Sequence, residues 1–257
     1  MILALCGTSE AHKLLRCLEK RKYKTIATVT TDYGEKCLEN FLDVEIIKGR
    51  IGEADLRQLV QEREIKSIID VTHPYANVIS TIAQKISKER KILYLRYERK
   101  ETKLNKDTLI TKVVDFSQAA QVASRVKGRI FLTTGSKNIS IFTDKIDVSR
   151  MVIRVLPLSN IIKNCEEYGF SPDNIIAMKG PFSEELNKQM FIHYKASVVI
   201  TKDSGEAGGT LEKINAAKEL ELPIILVGRP KTHYGEAFDD LNDLINKLEN
   251  WYKPPIW

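Results

Sequence analysis

Residues 1–32, MILALCGTSEAHKLLRCLEKRKYKTIATVTTD, decide the fold. Met1–Cys6 is a short apolar run that enters a turn at Gly7 and reads as a strand. Over Ser9–Lys20, Leu14, Leu15 and Leu18 repeat at helical spacing, while Glu10, Lys13, Lys20 and the following Arg21 stay polar. Lys24–Thr30 is again rich in β-branched residues. A strand, a helix and a second strand in this order predict a parallel sheet wound with helices. The alternation continues outward. Strands are expected at Val44–Ile47, Ser67–Asp70 and Lys91–Leu95, and helices at Tyr33–Asn40, Glu53–Arg63 and Tyr75–Glu89.

Arg96–Thr111 breaks the rhythm. It is polar, basic and poor in branched residues, and it reads as a linker. Strands then resume at Arg129–Thr133, Met151–Leu156, Ile175–Lys179, Ser197–Thr201 and Ile224–Gly228. Helices fit Ser117–Val126, Leu158–Tyr168, Ser183–Tyr194, Gly209–Leu220 and Glu236–Leu248, and Pro254–Pro255 marks an extended tail. The expected architecture is α/β, with two doubly wound Rossmann-like domains, parallel sheets and a cleft between them. Residues 1–100 and 101–257 are the expected domains. A chain of 257 residues suits two domains, and it is long enough to bury a sizeable core without metal or disulfide staples.

Composition excludes several classes. Hydrophobic residues make up 43% and charged residues 29%, which is globular rather than disordered. Apolar runs such as Pro223–Gly228 are far too short for a membrane span. The start lacks a basic region and a small-residue cleavage site, so a cytoplasmic protein is expected. Cys6, Cys17, Cys37 and Cys165 show no CxxC spacing and read as incidental thiols, with no metal expected. HExxH, GxSxG and GxxxxGK[ST] are absent, which disfavours a metallopeptidase, a serine hydrolase and a P-loop enzyme. The net charge of +6 is carried by Lys85–Lys112, which holds ten Lys or Arg against four acids. That excess reads as a solvated helix end and linker, or as a basic wall for an anion.

Ligands of open α/β sheets bind outside the carboxyl ends of the strands, and the unusual residues of this sequence collect there. In Gly7–Thr8–Ser9–Glu10 a glycine turn opens a helix, so the turn serves as a helix cap or as a phosphate seat. In Thr30–Thr31–Asp32, two hydroxyls precede the acid that a ribose 2′-OH would meet. This order favours a 2′-phosphate, or is a plain helix cap. Asp70–Val71–Thr72–His73–Pro74–Tyr75–Ala76 packs polar groups into one corner, with Pro74 suited to the first helical position. There His73 can exchange a proton and Tyr75 can donate a hydrogen bond. Thr134–Gly135–Ser136–Lys137, Gly180–Pro181–Phe182–Ser183 and Thr201–Lys202–Asp203–Ser204–Gly205 are basic, glycine-bearing turns of the second half. Lys202 needs a partner there, either Asp203 or a ligand anion.

Taken in order, these loops, together with Tyr94–Leu95–Arg96–Tyr97–Glu98–Arg99, resemble the precorrin-6A and cobalt-precorrin-6A reductases of cobalamin (vitamin B12) biosynthesis. The resemblance covers almost the whole chain. THPYA (72–76) and KDSG (202–205) are its specific pieces, and Cys6 stands where a glycine often does. It implies NADPH-dependent reduction of one macrocycle C=C bond of (cobalt-)precorrin-6A to (cobalt-)precorrin-6B. Under that reading NADPH meets Gly7, Thr8, Ser9, Thr30, Thr31, Asp32 and Thr72. The carboxylates of the tetrapyrrole meet Arg96, Arg99, Gly135, Ser136, Lys137, Lys202, Asp203 and Ser204. His73 and Tyr75 are the candidates for orienting the ring or supplying a proton, and solvent is the alternative donor. Neither a membrane nor a nucleic acid is expected as partner, since aromatic residues are only 7% and no nucleic-acid motif is visible. The same turns would also serve a transferase acting on a phosphorylated or nucleotide substrate.

Overall fold

A computed structural model describes residues 1–102, 104, 107–205, 208–230 and 235–252. The chain forms two compact units, Met1–Lys100 with Lys231–Trp257, and Glu101–Pro230. Twelve strands are described: β1 (Ile2–Cys6), β2 (Thr25–Val29), β3 (Val44–Lys48), β4 (Ser67–Val71), β5 (Leu93–Tyr97), β6 (Ile110–Val113), β7 (Arg129–Leu132), β8 (Met151–Val155), β9 (Ile175–Ala177), β10 (Ala196–Lys202), β11 (Ile224–Val227) and β12 (Ala237–Phe238). The helices are α1 (Glu10–Lys20), α2 (Asp32–Leu38), α3 (Glu53–Glu62), α4 (Asn77–Arg90), α5 (Phe116–Ser124), α6 (Ile139–Thr143), α7 (Ser159–Glu167), α8 (Glu184–His193), α9 (Thr210–Glu219) and α10 (Leu241–Tyr252).

Each unit holds one six-stranded, wholly parallel sheet. The first has the order β3-β2-β1-β4-β5-β12, and the second β9-β8-β7-β10-β11-β6. Both are doubly wound Rossmann-like sheets in which the strand order reverses beside the first central strand, at β1/β4 and at β7/β10. They differ at the sixth position. In the second sheet it is filled by the strand that enters the unit. In the first it is filled by β12, from the end of the chain.

Period-two alternation explains why both faces of the first sheet are covered. Ile2, Ala4 and Cys6 pack with Leu14, Leu15 and Leu18 of α1 and with Leu244, Ile245 and Leu248 of α10. Leu3 and Leu5 turn the other way, onto Leu56 and Val60 of α3 and Ala83 and Ile86 of α4. In the second sheet Phe131, Val152 and Val199 pack under Met190 and Phe191 of α8 and Ile214 and Ala217 of α9.

Five expectations need correction. The expected second domain, 101–257, loses its end: β12 pairs with β5, and the apolar face of α10 joins the first core. The helix expected at Glu236–Leu248 therefore begins only at Leu241. The expected linker contains the end of β5 and the start of β6. Pro74 does not open a helix; it follows His73 in a turn closed by Ala76 N–H on the His73 carbonyl (2.8 Å), and α4 starts at Asn77. Residues 253–257 of the expected tail lie outside the described residues, while Trp251 and Tyr252 end α10.

Candidate functional site

The carboxyl end of the first sheet is organised by a buried polar network. Asp70, at the end of β4, is fully buried, as is Arg96 on the neighbouring β5. Arg96 Nη1 lies 2.5 Å from Asp70 Oδ1 and donates to Thr72 Oγ1 (2.9 Å). Asp70 also accepts from Thr72 N (2.9 Å), Thr72 Oγ1 (2.7 Å) and Tyr94 Oη (2.8 Å). A buried ion pair persists when hydrogen bonds compensate its burial, and here three further donors reach the Asp70 carboxylate. The network fixes the start of the Thr72–Ala76 loop.

This changes two expected roles. Arg96 has no exposure, so it cannot meet a substrate carboxylate; it anchors the loop. Thr72 is 8% exposed, with its hydroxyl held by Asp70 and Arg96, and it belongs to the same scaffold. The two residues it presents are half-buried. Tyr75 N–H donates to His73 Nδ1 (3.3 Å), and the two rings lie 5.5 Å apart. With Nδ1 accepting, the neutral imidazole carries its proton on Nε2.

The β1–α1 turn lies against this loop. Thr8 Oγ1 donates to the Val71 carbonyl (2.9 Å), and the position of a Cβ on Gly7 would lie 3.4 Å from Thr72 Cα. Gly7 does not take a positive φ. Ser9 is the N-cap of α1 but makes no side-chain cap bond, so the expected capping by Thr8 and Ser9 is not formed. Arg99 donates to Ser9 Oγ (3.0 Å) and pairs with Glu10 in the first turn of the helix. Burial raises the Glu10 carboxyl, but the hydrogen bond and charge of Arg99 outweigh it, and the net shift is downward.

At β2, Thr31 rather than Asp32 caps α2, accepting from Gly34 N–H (3.0 Å). Its own hydroxyl hydrogen remains to donate. Thr30 and Asp32 are exposed. Asp32 pairs with Lys48 at the end of β3 (2.9 Å), which also reaches Glu35 (2.8 Å). Hydrogen bonds to Glu35 and Asp32 raise the Lys48 ammonium, and the bond to Lys48 lowers Asp32.

In the second unit, Gly135 takes a left-handed φ of 77° beside buried Thr134, Ser136 is half-buried and Lys137 is exposed. Ser183 caps α8 as expected, accepting from Leu186 N–H (3.2 Å). Asp203 is not set against Lys202. It accepts from Thr102 Oγ1 (2.8 Å) and Gly205 N–H (3.1 Å), with Arg229 Nη2 at 3.7 Å. Ser204 is 5% exposed, and a Cβ on Gly208 would lie 2.2 Å from Ser204 Cβ, so only glycine fits there. Asp203 and Ser204 therefore build the loop that carries Lys202. Burial and the charge of Lys137 hold Lys202 down to about 8.

The basic stretch Lys85–Lys112 is not a bare wall. Lys85, Arg96, Arg99 and Lys100 pair with Glu53, Asp70, Glu10 and Asp239, all from outside the stretch. Two cations that sequence reading missed, Arg154 and Lys213, are buried at the carboxyl end of the second sheet. Among the described residues, no helix is long and apolar enough to cross a membrane.

The model of the precorrin-6x reductases CbiJ/CobK matches residues 1–249. The chain belongs to this family. It is 38% identical over 254 residues to a cobalt-precorrin-6A reductase of Priestia megaterium, covering 97% of this chain and 98% of that one. It is 39% identical over 224 residues to a cobalt-precorrin-6A reductase of Methanocaldococcus jannaschii, covering 87% of each. A solved CobK precorrin-6A reductase superposes with a TM-score of 0.79 at 20% identity, over 100% of this chain and 99% of that one. That likeness bears out two Rossmann-like domains.

Proposed function

We propose that the protein is an NADPH-dependent reductase of cobalamin biosynthesis that reduces one C=C bond of cobalt-precorrin-6A to give cobalt-precorrin-6B. The observation that carries the reading is the first sheet's reversal at β1/β4. In a member of this family, that reversal opens onto an uncapped helix start on one side and the His73–Tyr75 loop on the other. The cobalt form is favoured because the two relatives above are named for it.

The residues present fit a dinucleotide. The absent Cβ of Gly7 leaves room beside Thr72, and the first-turn N–H groups of α1 can receive a pyrophosphate. Arg99 neutralises Glu10, the one acid of that turn, and so removes its repulsion of phosphate. On this reading Thr30 and Thr31 receive the 2′-phosphate; Thr31 accepts one hydrogen bond and is still able to donate another. When bound, NADPH supplies a hydride to one ring carbon, and the neighbouring carbon takes a proton.

The chain's own part is chiefly orientation. Asp70 and Arg96 hold the loop on which His73 and Tyr75 stand. His73 Nε2–H orients the macrocycle by a hydrogen bond, and delivers the proton only from the doubly protonated ring, in which Nδ1 no longer accepts from Tyr75 N–H, with solvent as the alternative donor; Lys137 and Lys202 meet carboxylates. The test is loss of reduced-nicotinamide absorbance with paired cobalt-loaded and cobalt-free precorrin-6A. Turnover is expected with the cobalt form and slower turnover with the other. No loss with either ends the reading, and a preference for the cobalt-free form reverses the substrate assignment.

A further inference from the structure

The second sheet carries a cluster that the loops of the first do not explain. Ile200 pairs with Leu132, and Leu132 with Ile153. One residue further along, Thr201, Thr133 and Arg154 stand in one row across three neighbouring strands. Period-two alternation puts them on the same face as Phe131, Val152 and Val199, the face that α8 and α9 cover. Lys213 stands on α9, one of the helices that cover this face, near enough for the charge of Arg154 to act on it.

Thr133 is half-buried and donates to the Ile200 carbonyl (3.0 Å), while Thr201 and Arg154 are buried. Arg154 is 6% exposed, and its guanidinium lies 4.2 Å from the centre of the Phe182 ring. It donates to Asn187 Oδ1 (2.8 Å) and reaches Met190 Sδ (3.4 Å), two acceptors for five N–H groups. Lys213 is 7% exposed and donates to the Gly208 carbonyl (2.8 Å). Among the described residues, neither cation has a carboxylate within 4.0 Å. Thr201 has no exposure, and its Oγ1 has no hydrogen-bond partner.

We propose that Thr201, Arg154 and Lys213 form a built site for an oxyanion, a carboxylate or a phosphate. A buried hydroxyl without a partner and two buried cations without a carboxylate are each unfavourable alone, and one oxyanion bound among them relieves all three. Titration agrees. Burial, then the charges of Arg154 and Lys202, hold Lys213 down to about 7, with Glu212 as the one opposing charge. Burial alone brings Arg154 to about 10. On the reductase reading, on which the choice of source rests, the oxyanion is a side-chain carboxylate of the macrocycle or a phosphate of the cofactor.

Titration calorimetry of the wild type, Lys213→Met, Lys213→Arg and the near-isosteric Thr201→Val tests this, with uroporphyrin III and NADPH as probes. Lys213→Met should weaken one probe on the order of tenfold to a hundredfold, the loss of one charge-assisted hydrogen bond, and spare the other. Thr201→Val should weaken the same probe less, and Lys213→Arg should restore it. A weakened uroporphyrin assigns a carboxylate, and a weakened NADPH assigns a phosphate. Unchanged affinities for both probes overturn the site. A wild type that binds neither probe counts against the reductase reading instead. In that event, citrate and inorganic phosphate decide the site: a rise in melting temperature that Lys213→Met abolishes supports it, and no rise overturns it.

Discussion

The two sheets share a strand order and differ in how they treat charge at their carboxyl ends. In the first unit every cation of the candidate site meets a carboxylate: Arg96 meets Asp70, Arg99 meets Glu10, and Lys48 meets Asp32 and Glu35. In the second, the buried Arg154 and Lys213 face an amide oxygen, a thioether and a backbone carbonyl. The same topology thus yields one end whose cations are paired with carboxylates and another whose buried cations are not. The difference teaches what the fold leaves open. A Rossmann-like sheet gathers loops at one edge, but side-chain pairing decides whether that edge is a scaffold or a receptor.

The sharpest way to break the comparison is to remove one member of a buried group from each side. Asp70→Ala strands the Arg96 charge in the first unit. It should destabilise the protein by about 3–5 kcal/mol, read from the urea midpoint. Lys213→Met removes a buried charge that has no carboxylate partner, so the anion-free protein should become more stable. A gain of about 1 kcal/mol would raise the melting temperature by roughly 2–4 °C. If both variants lose stability alike, the two ends do not differ as described. Thr31→Val, which deletes the cap of α2, should cost about 1 kcal/mol and weaken NADPH more than NADH in a binding titration. Equal weakening of the two would remove Thr31 from the 2′-phosphate.

Titration separates the units by pH window: in both, the contribution to stability rises with pH, in the alkaline range for the lysines and in the acid range for Glu10. Lys213 and Lys202 have folded values of about 7 and about 8, below their ordinary 10.5. Between those values and 10.5 the folded chain binds fewer protons than the unfolded one, so their contribution to stability rises with pH. Glu10 is lowered, so its contribution is present above the ordinary carboxylate range and is lost as pH falls through its folded value. Urea midpoints across the alkaline range should therefore climb less in Lys213→Met than in the wild type. Identical climbs would contradict the burial of a charged Lys213.

Much of this was legible in the residues. The central strands show as branched runs, and the turns Gly7–Ser9, Thr72–Tyr75 and Lys202–Gly205 stand out because glycine, proline and hydroxyl residues cluster where a strand ends. The two edge strands were not legible. β6 is four residues, Ile-Thr-Lys-Val, with Thr111 and Lys112 exposed, and β12 is two residues. An edge strand has one ladder partner and needs no apolar run. Arg96 looked like a surface cation because nothing in its neighbourhood names Asp70, which is 26 residues away. Arg154 and Lys213 did leave signals. Arg154 interrupts the apolar run Met151–Leu156, and Lys213 lies one turn before the small residues Ala216 and Ala217 on the buried face of α9.

Hydride transfer to the macrocycle is the step on which the proposed function rests. Cobalt-precorrin-6A incubated with NADPH carrying deuterium at both positions of the reacting nicotinamide carbon should give a product heavier than the substrate by one deuterium and one ordinary hydrogen, as read by mass spectrometry. A product with no added mass, or with two ordinary hydrogens and no deuterium, would contradict it.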